Sequence, residues 1–455
     1  MKRRALAMLL ICAGSAFGQV VVDSPDFEVV ERYLADLQLD ELRAEYLESQ
    51  LDSLGGADRT SVARRLAELY ARLLRASVQD DERVRLEGKA RVLLEAMPEI
   101  DADDLRLSLA RAGFERAERV VERWRVRAVP EPEARSALRS IRTLAQDFER
   151  IGRDAHRRVQ SLESREERAR DADLPMLERR IDEALERRST AFYLAGWAHR
   201  YLAEFENDRE SARLSRISFG WILNASQSEE PVIDRVPEGF ERLPHVALSM
   251  LCVSYSHALS GRMTLADEWY ERVRDAGEIG GGVTDQLPTR RLIALCAGGE
   301  WQDATRLLDA HVSGEQGALL ARLGAVLATT ELESGTSDRS PRALRAAALA
   351  ALVAQGELAQ AVEVINAIGS STLDPSGFVG GLVQGVVAYQ ALRDEHREAG
   401  NAGEPARDPA LRERYAAIGE QLRSALYSSG SSAFPQARAG GLFVMGLCSY
   451  YAGDF

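Results

Sequence analysis

The strongest constraint in this sequence is a short pattern that recurs three times in its C-terminal half. A glycine is followed by a large apolar residue two positions on, an alanine five positions on and another apolar residue nine positions on. The three occurrences are Gly261, Met263, Ala266 and Tyr270; Gly299, Trp301, Ala304 and Leu308; and Gly356, Leu358, Ala361 and Ile365. Glycine permits a tight turn, and the small alanine lets two helices approach closely. The pattern therefore predicts antiparallel helix hairpins whose larger residues fill the gaps between neighbours.

The rest of the chain also indicates an all-α fold. Strand signals are nearly absent, because the only β-branched run is Val20–Val22, whereas later segments are rich in Ala, Leu, Arg and Glu. One apolar stripe follows the helical period, and it consists of Val62, Leu66, Leu69, Tyr70, Leu73 and Leu74. With 45% apolar residues in a chain of 455, we expect a folded protein that is multidomain or elongated.

At the glycine and alanine positions given above, the chain resembles the tetratricopeptide repeat (TPR) family. Met445-Gly446 ahead of Gly453, and Leu323-Gly324, match the Leu-Gly-like pair that this family places upstream of the turn. The spacing departs from the family, since Gly261 to Gly299 is 38 residues and Gly299 to Gly356 is 57, against about 34 in the regular motif. The resemblance covers residues 245–455 and implies a TPR-like α-solenoid. An unrelated helical solenoid is the alternative.

Four regions are expected along the chain. Residues 1–18 read as a signal peptide, 19–129 as an N-terminal helical region, 130–189 as a long charged helical hairpin, and 190–455 as the TPR-like repeat region. The last repeat is expected to be incomplete, because Gly453 is followed only by Asp454 and Phe455. Either the chain is a fragment of a longer protein, or its last helix pairs with a partner.

The first residues have the three parts of an export signal. Lys2, Arg3 and Arg4 are basic, Ala5–Ala13 is apolar, and Ala16-Phe17-Gly18 offers small residues for cleavage after Gly18. We therefore expect a periplasmic or secreted protein. The alternatives are a core helix, a membrane anchor, for which the apolar run is short, and lipidation at Cys12, where Ile11 is bulkier than the residue usually found there.

Charge and motifs argue against several function classes. A net charge of −13 argues against general nucleic-acid binding. Residues 111–170 reverse this balance locally, with 16 Arg against 11 Asp plus Glu; this stretch is either a solvated helix face or an anion-binding patch.

The sequence has no HExxH, no CxxC and no Gly-rich loop after a strand. We therefore predict no catalytic, cofactor or metal site.

Two further apolar features are expected to be structural. Cys252, Cys296 and Cys448 lie in apolar helical runs, which favours buried thiols over disulfides. The run 375–392 is uncharged for 18 residues, but its glycines and glutamines favour a buried, closely packed helix over a transmembrane span.

The resemblance implies protein or peptide binding along the concave face made by the first helices of the repeats. On this sequence the face consists of Leu248, Leu251, Tyr255, Phe443, Leu447 and Tyr450. The expected repeat-structural residues are Gly261, Ala266, Gly299, Ala304, Gly356, Ala361, Gly446 and Gly453. The basic clamp that some family members use for a C-terminal carboxylate is not matched. The face is thus either an apolar groove or a surface covered by the N-terminal half.

These observations together predict a non-enzymatic, exported scaffold or adaptor of the bacterial periplasm or cell envelope. One alternative is a regulatory or substrate-recruiting region of an enzyme whose catalytic domain lies beyond residue 455. Another is an envelope-structural protein that self-associates through its last helix.

Overall fold

A computed structural model describes residues 24–51, 53–77, 79–98, 100, 102–170, 173–223, 229–312, 316–333, 340–368, 377–399 and 403–454. Within these ranges the chain forms helices and no strand, which confirms the all-α class. The expected signal peptide and Val20–Val22 lie outside the described residues.

The first nine α-helices are α1 (Ser24–Asp36), α2 (Asp40–Leu51), α3 (Gly56–Ala76), α4 (Asp80–Ala96), α5 (Asp103–Arg125), α6 (Glu131–Glu166), α7 (Leu174–Glu206), α8 (Arg209–Leu223) and α9 (Pro244–Leu259). The next nine are α10 (Met263–Asp275), α11 (Val283–Gly298), α12 (Trp301–His311), α13 (Gly317–Glu333), α14 (Ser340–Ala354), α15 (Leu358–Ile368), α16 (Phe378–Glu398), α17 (Pro409–Leu426) and α18 (Pro435–Ala452).

The chain divides into two compact units, Met1–Ala112 and Gly113–Phe455. In the first unit, the stripe expected from Val62 to Leu74 forms the core side of α3, and its members are buried except for the half-buried Leu73. Glu31 is buried in this unit and accepts hydrogen bonds from Arg43 and Arg65, each at 2.5 Å. Burial opposes ionisation of Glu31, but the two guanidinium groups lower its pKa.

The second unit begins within α5 and continues with two long helices, α6 and α7, which pack along each other. Prolines start both of them, at Pro132 and Pro175, where the missing N–H group costs no helical hydrogen bond. We expected this hairpin to end at residue 189, but α7 runs on to Glu206. No second proline interrupts the helix before Glu206, and its Gly196 lies under the ring of Phe219 from α8.

The recurring glycine pattern forms one repeated turn. Gly261, Gly299 and Gly356 end α9, α11 and α14 with left-handed φ angles of 75°, 80° and 81°. In each turn the N–H group after the glycine donates to the carbonyl five positions earlier, a Schellman closure. These bonds are Arg262 to His257, Glu300 to Leu295 and Glu357 to Leu352, all at 2.9 Å. Gly453 repeats the geometry at the end of α18, with φ 83° and a bond from Asp454 to Ser449 of 3.0 Å.

The alanines of the pattern also occupy equivalent positions in the three hairpins. Ala266, Ala304 and Ala361 are fully buried in the first turn of α10, α12 and α15. The hydroxyl of Ser254 on α9 donates to the Ala266 carbonyl at 2.7 Å, so these two helices are in close contact. Gly446 differs from the other pattern residues, because it is exposed inside α18 and a Cβ there would meet no atom within 4 Å. Nothing in the packing of the described residues requires glycine at that position.

The remaining expectations for apolar segments are met where the structure describes them. Cys252, Cys296 and Cys448 are buried free thiols. Gly381 and Gly385 are buried in α16, and a Cβ on Gly385 would collide with Leu422 of α17. None of the helices in the described ranges combines the length and the hydropathy that crossing a bilayer requires; Pro375 and Ser376, at the start of the uncharged run, lie outside those ranges.

Candidate functional site

The predicted binding face is covered on α9. Leu251 and Tyr255 are each 4% exposed, and Leu248 is half-buried. Helices α7 and α8, from the first half of the chain, pack against α9, and so do α10 and α11. The guanidinium carbon of Arg200 on α7 lies 5.1 Å from the centre of the Tyr255 ring. Leu251 and Tyr255 are therefore packed in the interior and do not form an open surface.

The same predicted face is open on α18. Phe443 is 68% exposed and Tyr450 is 37% exposed, while Leu447 is half-buried against the core. These residues lie at helical spacing with Gly446 between them, so all four share one side of the helix. We call Phe443, Gly446, Leu447 and Tyr450 the α18 stripe. The Tyr450 hydroxyl donates to the Gly403 carbonyl at 3.1 Å, which holds one end of the stripe in place.

A cleft of about 740 Å³ lies within the second unit, between the long hairpin and the repeat helices. Its apolar floor comes from α9, α11, α12 and α13, and consists of Leu259, Ile293, Ala297, Trp301, Val326 and Leu327 together with Tyr255 and Cys296. The wall beside this floor comes from α6 and the ends of α5 and α7. Its apolar members are Ala134, Leu138, Trp124 and Phe205. Arg322 of α13 donates to the Val126 carbonyl at 3.0 Å and so ties the end of α5 to the floor.

One wall of the cleft contains a buried ion pair between α5 and α7. Arg125 donates from Nε and Nη2 to the two carboxylate oxygens of Glu204 at 2.7 and 2.8 Å. Both side chains are 6% exposed. Arg200, 1% exposed, bonds the same carboxylate at 2.9 Å. Burial disfavours the charged form of Arg125, but Glu204 and Glu122 raise its pKa well above the ordinary value.

Two more carboxylates extend this network through Tyr201. The hydroxyl of Tyr201 contacts Glu118 at 2.8 Å and Glu122 at 2.5 Å. Burial opposes ionisation of Glu122, but Arg125 and Arg200 lower its pKa to about 2. Burial raises the pKa of Glu118, despite the hydrogen bond from Tyr201. Burial and the two glutamates raise the pKa of Tyr201, so its proton stays on the hydroxyl and is donated.

The rim of the cleft carries further arginines from the Arg-rich stretch. Arg127 stacks on the Trp124 ring, with its guanidinium carbon 3.8 Å from the ring centre. Each carboxylate in the cleft lining is engaged by an arginine: Glu131 by Arg135, Glu204 by Arg125, and Glu206 by Arg142. Arg139 is exposed, and within the described residues it takes part in no ion pair.

The cleft is suited to binding. The thiol of Cys296 borders it, but burial raises the pKa of that thiol, which keeps it protonated and a poor nucleophile at neutral pH. An apolar floor with a cationic rim instead matches a ligand that has an apolar body and an anionic group.

Sequence reasoning found part of this arrangement. Tyr255 was identified from the repeat, and the excess of arginine in residues 111–170 offered an anion-binding patch as an alternative. The pairing of Arg125 with Glu204 was missed, because 79 residues separate them. No local pattern distinguishes Arg125 from the exposed arginines of α6.

Scans of this chain against protein-family models, curated proteins and solved structures each find no match. In the part of the chain that the structure describes, the protein is all-helical and has a cleft lined by apolar and cationic residues.

Proposed function

We propose that this protein is a TPR-like, non-enzymatic adaptor that acts after export and binds an apolar segment of a partner protein through the α18 stripe. The observation that carries the proposal is the exposure of Phe443 and Tyr450 on a helix that otherwise belongs to the repeat pattern.

The repeated turn supports the TPR-like arrangement. Four helices end in the same left-handed glycine with the same hydrogen bond, and in three cases a buried alanine follows in the next helix. Such turns reverse the chain between packed helices, which is the unit of an α-solenoid. In such a solenoid α9, α11, α14 and α18 are first helices, the position at which the family binds its ligands.

The chemistry of the α18 stripe supports a protein partner. Phenylalanine and tyrosine supply a large apolar contact area at low cost in side-chain entropy. Gly446 leaves open space between them, so the backbone of a partner helix can approach closely. An amphipathic helix or an apolar extended segment fits such a surface.

The export part of the proposal rests on the first residues alone. The basic start, the apolar run and the small residues before Gln19 have the order of a cleavable signal. The mass of the protein purified from its own cells tests it: a mature chain that begins at Gln19 supports export, and a retained Met1 contradicts it.

Partner binding is tested with residues 19–455 as bait, followed by measurement of the Kd of each captured protein. Phe443→Ser should weaken a specific partner about tenfold or more, as expected for an aromatic anchor at an interface. Phe240→Ser is the matched control, because Phe240 is 47% exposed and lies in a short 3-10 helix away from the α18 stripe. A partner that both variants bind equally well does not use the stripe. Light scattering measures the oligomeric state and so tests the alternative of self-association. That alternative requires a dimer that Phe443→Ser dissociates.

A further inference from the structure

We propose that the cleft between the long hairpin and the repeat helices binds a long-chain aliphatic carboxylate. This site is separate from the α18 stripe and does not depend on the adaptor function. It rests on three observations: the apolar floor, an exposed cation on the rim, and a tyrosine hydroxyl in the lining that makes no hydrogen bond with the described residues.

The floor fits an aliphatic chain. It is built from Ile293, Ala297, Trp301 and Leu327 with their neighbours on four helices, and the volume of about 740 Å³ lies in the range of small-molecule sites. Because these residues project from helices, the backbone groups beneath them already bond within each helix. A peptide lying on this floor would leave the N–H and C=O groups that face it without partners. An aliphatic chain has no such groups, so the floor favours it.

The rim fits an anionic head. The carboxylates of Glu131, Glu204 and Glu206 are each engaged by an arginine. Arg139 projects from α6 into the lining and forms no ion pair with the described residues. A carboxylate bound there gains a charge-assisted hydrogen bond, whereas a cationic head meets repulsion. The charge of the rim therefore selects an acid over an amine.

The hydroxyl of Tyr255 offers a second polar contact. Tyr255 borders the cleft and is 4% exposed, yet its hydroxyl makes no hydrogen bond with any described residue. This hydroxyl is open to the cleft, so it can donate to a ligand oxygen in place of water. Burial also raises the pKa of Tyr255, so the hydroxyl keeps its proton and can donate it.

Calorimetry with octanoate, decanoate and dodecanoate, below their micelle concentrations, tests the proposal. Each added methylene should tighten the Kd about fourfold until the cleft is full. Dodecanoate should bind about tenfold tighter than dodecanol, and dodecylamine should bind more weakly still. A Kd independent of chain length, or equal Kd values for acid and alcohol, would overturn the proposal. A short apolar peptide with a free C-terminal carboxylate that binds more tightly than dodecanoate would instead assign the cleft to the end of a protein chain.

Variants locate the binding site. Arg139→Gln should weaken dodecanoate about fivefold to tenfold and leave dodecanol unchanged, while Arg139→Lys should retain most of the affinity. Arg64→Gln, at an exposed position of the first unit, makes the same change in net charge and should have no effect.

Ala297→Trp fills the cleft and should abolish binding of both ligands, with circular dichroism as the check on folding. Unchanged dodecanoate binding by Arg139→Gln would contradict the assignment even if Ala297→Trp fails to fold. Phe443→Ser should bind dodecanoate normally, which separates this site from the α18 stripe.

Discussion

Arg125 at the end of α5 and Glu204 near the end of α7 form a two-point ion pair, with N–O distances of 2.7 and 2.8 Å, although 79 residues separate them. Arg200 shares the same carboxylate. The three buried side chains join the end of α5 to the long hairpin, and Arg125 and Glu204 also line the cleft. The pairing of both arginines with Glu204 stabilises the fold, because a buried charge without a partner costs far more free energy than an exposed one.

Glu204→Gln should destabilise the second unit by about 3–5 kcal/mol, because Arg125 and Arg200 keep their charges and lose their shared partner. Urea unfolding followed by tryptophan fluorescence measures this, and all five tryptophans lie in Gly113–Phe455. Asp147→Asn is the control, since Asp147 forms a partly exposed pair with Arg150 that should contribute less than about 1 kcal/mol. Equal losses for the two variants would show that Glu204 does not neutralise the cluster.

Gly261→Ala and Gly299→Ala should each cost about 1–2 kcal/mol, because a Cβ is unfavourable at their left-handed φ angles. No packing contributes at Gly261, where a Cβ would meet no atom within 4 Å. Gly446→Ala should be neutral or stabilise by up to about 1 kcal/mol, since Gly446 is exposed inside a helix. Urea unfolding measures the free energy of unfolding of the three variants and of the wild type. A destabilising Gly446→Ala would indicate that the backbone of α18 is closely packed there.

His257 should make the second unit less stable as the pH falls. Burial, with Arg262 and Arg216 adding positive charge, lowers its pKa from 6.5 to about 4. Between these values the unfolded state takes up a proton and the folded state does not, so stability decreases by at most about 1.4 kcal/mol per pH unit.

The pH dependence is measured as the difference in unfolding free energy between the wild type and His257→Gln from pH 7 to pH 4.5. This difference should shrink or reverse as the pH falls. His245→Gln, at an exposed position, should follow the wild-type profile. A constant difference between wild type and His257→Gln would show that His257 does not titrate on unfolding.

The sequence was sufficient for the helices and the turns, because both depend on local residues. The left-handed glycines at Gly261, Gly299 and Gly356 follow from a pattern of ten residues. The end of α7 was not predicted, since the helix crosses the expected boundary at residue 189 and its later part is held by contacts with α8, such as Phe219 on Gly196.

The cleft could not be predicted for a related reason. Arg125 and Arg139 belong to the same Arg-rich stretch, yet Arg125 is buried against Glu204 and Arg139 is exposed. That difference depends on which helix packs opposite each arginine, and such contacts between distant segments are invisible to the helical period. Likewise, Leu251 and Phe443 hold equivalent positions, each ten residues before the glycine of its turn. Leu251 is buried because other helices, α7 and α8 among them, pack on α9, whereas Phe443 is exposed.

The most direct test of the proposed adaptor function is photo-crosslinking in the cells that encode the protein. Benzoylphenylalanine is placed at Phe443, at Tyr450 and, as a control, at Phe240, and the crosslinked products are identified by mass spectrometry. We predict that positions 443 and 450 crosslink to the same partner protein and that position 240 does not. Crosslinking at 443 and 450 no stronger than at 240 would contradict the assignment of the α18 stripe as the partner-binding surface.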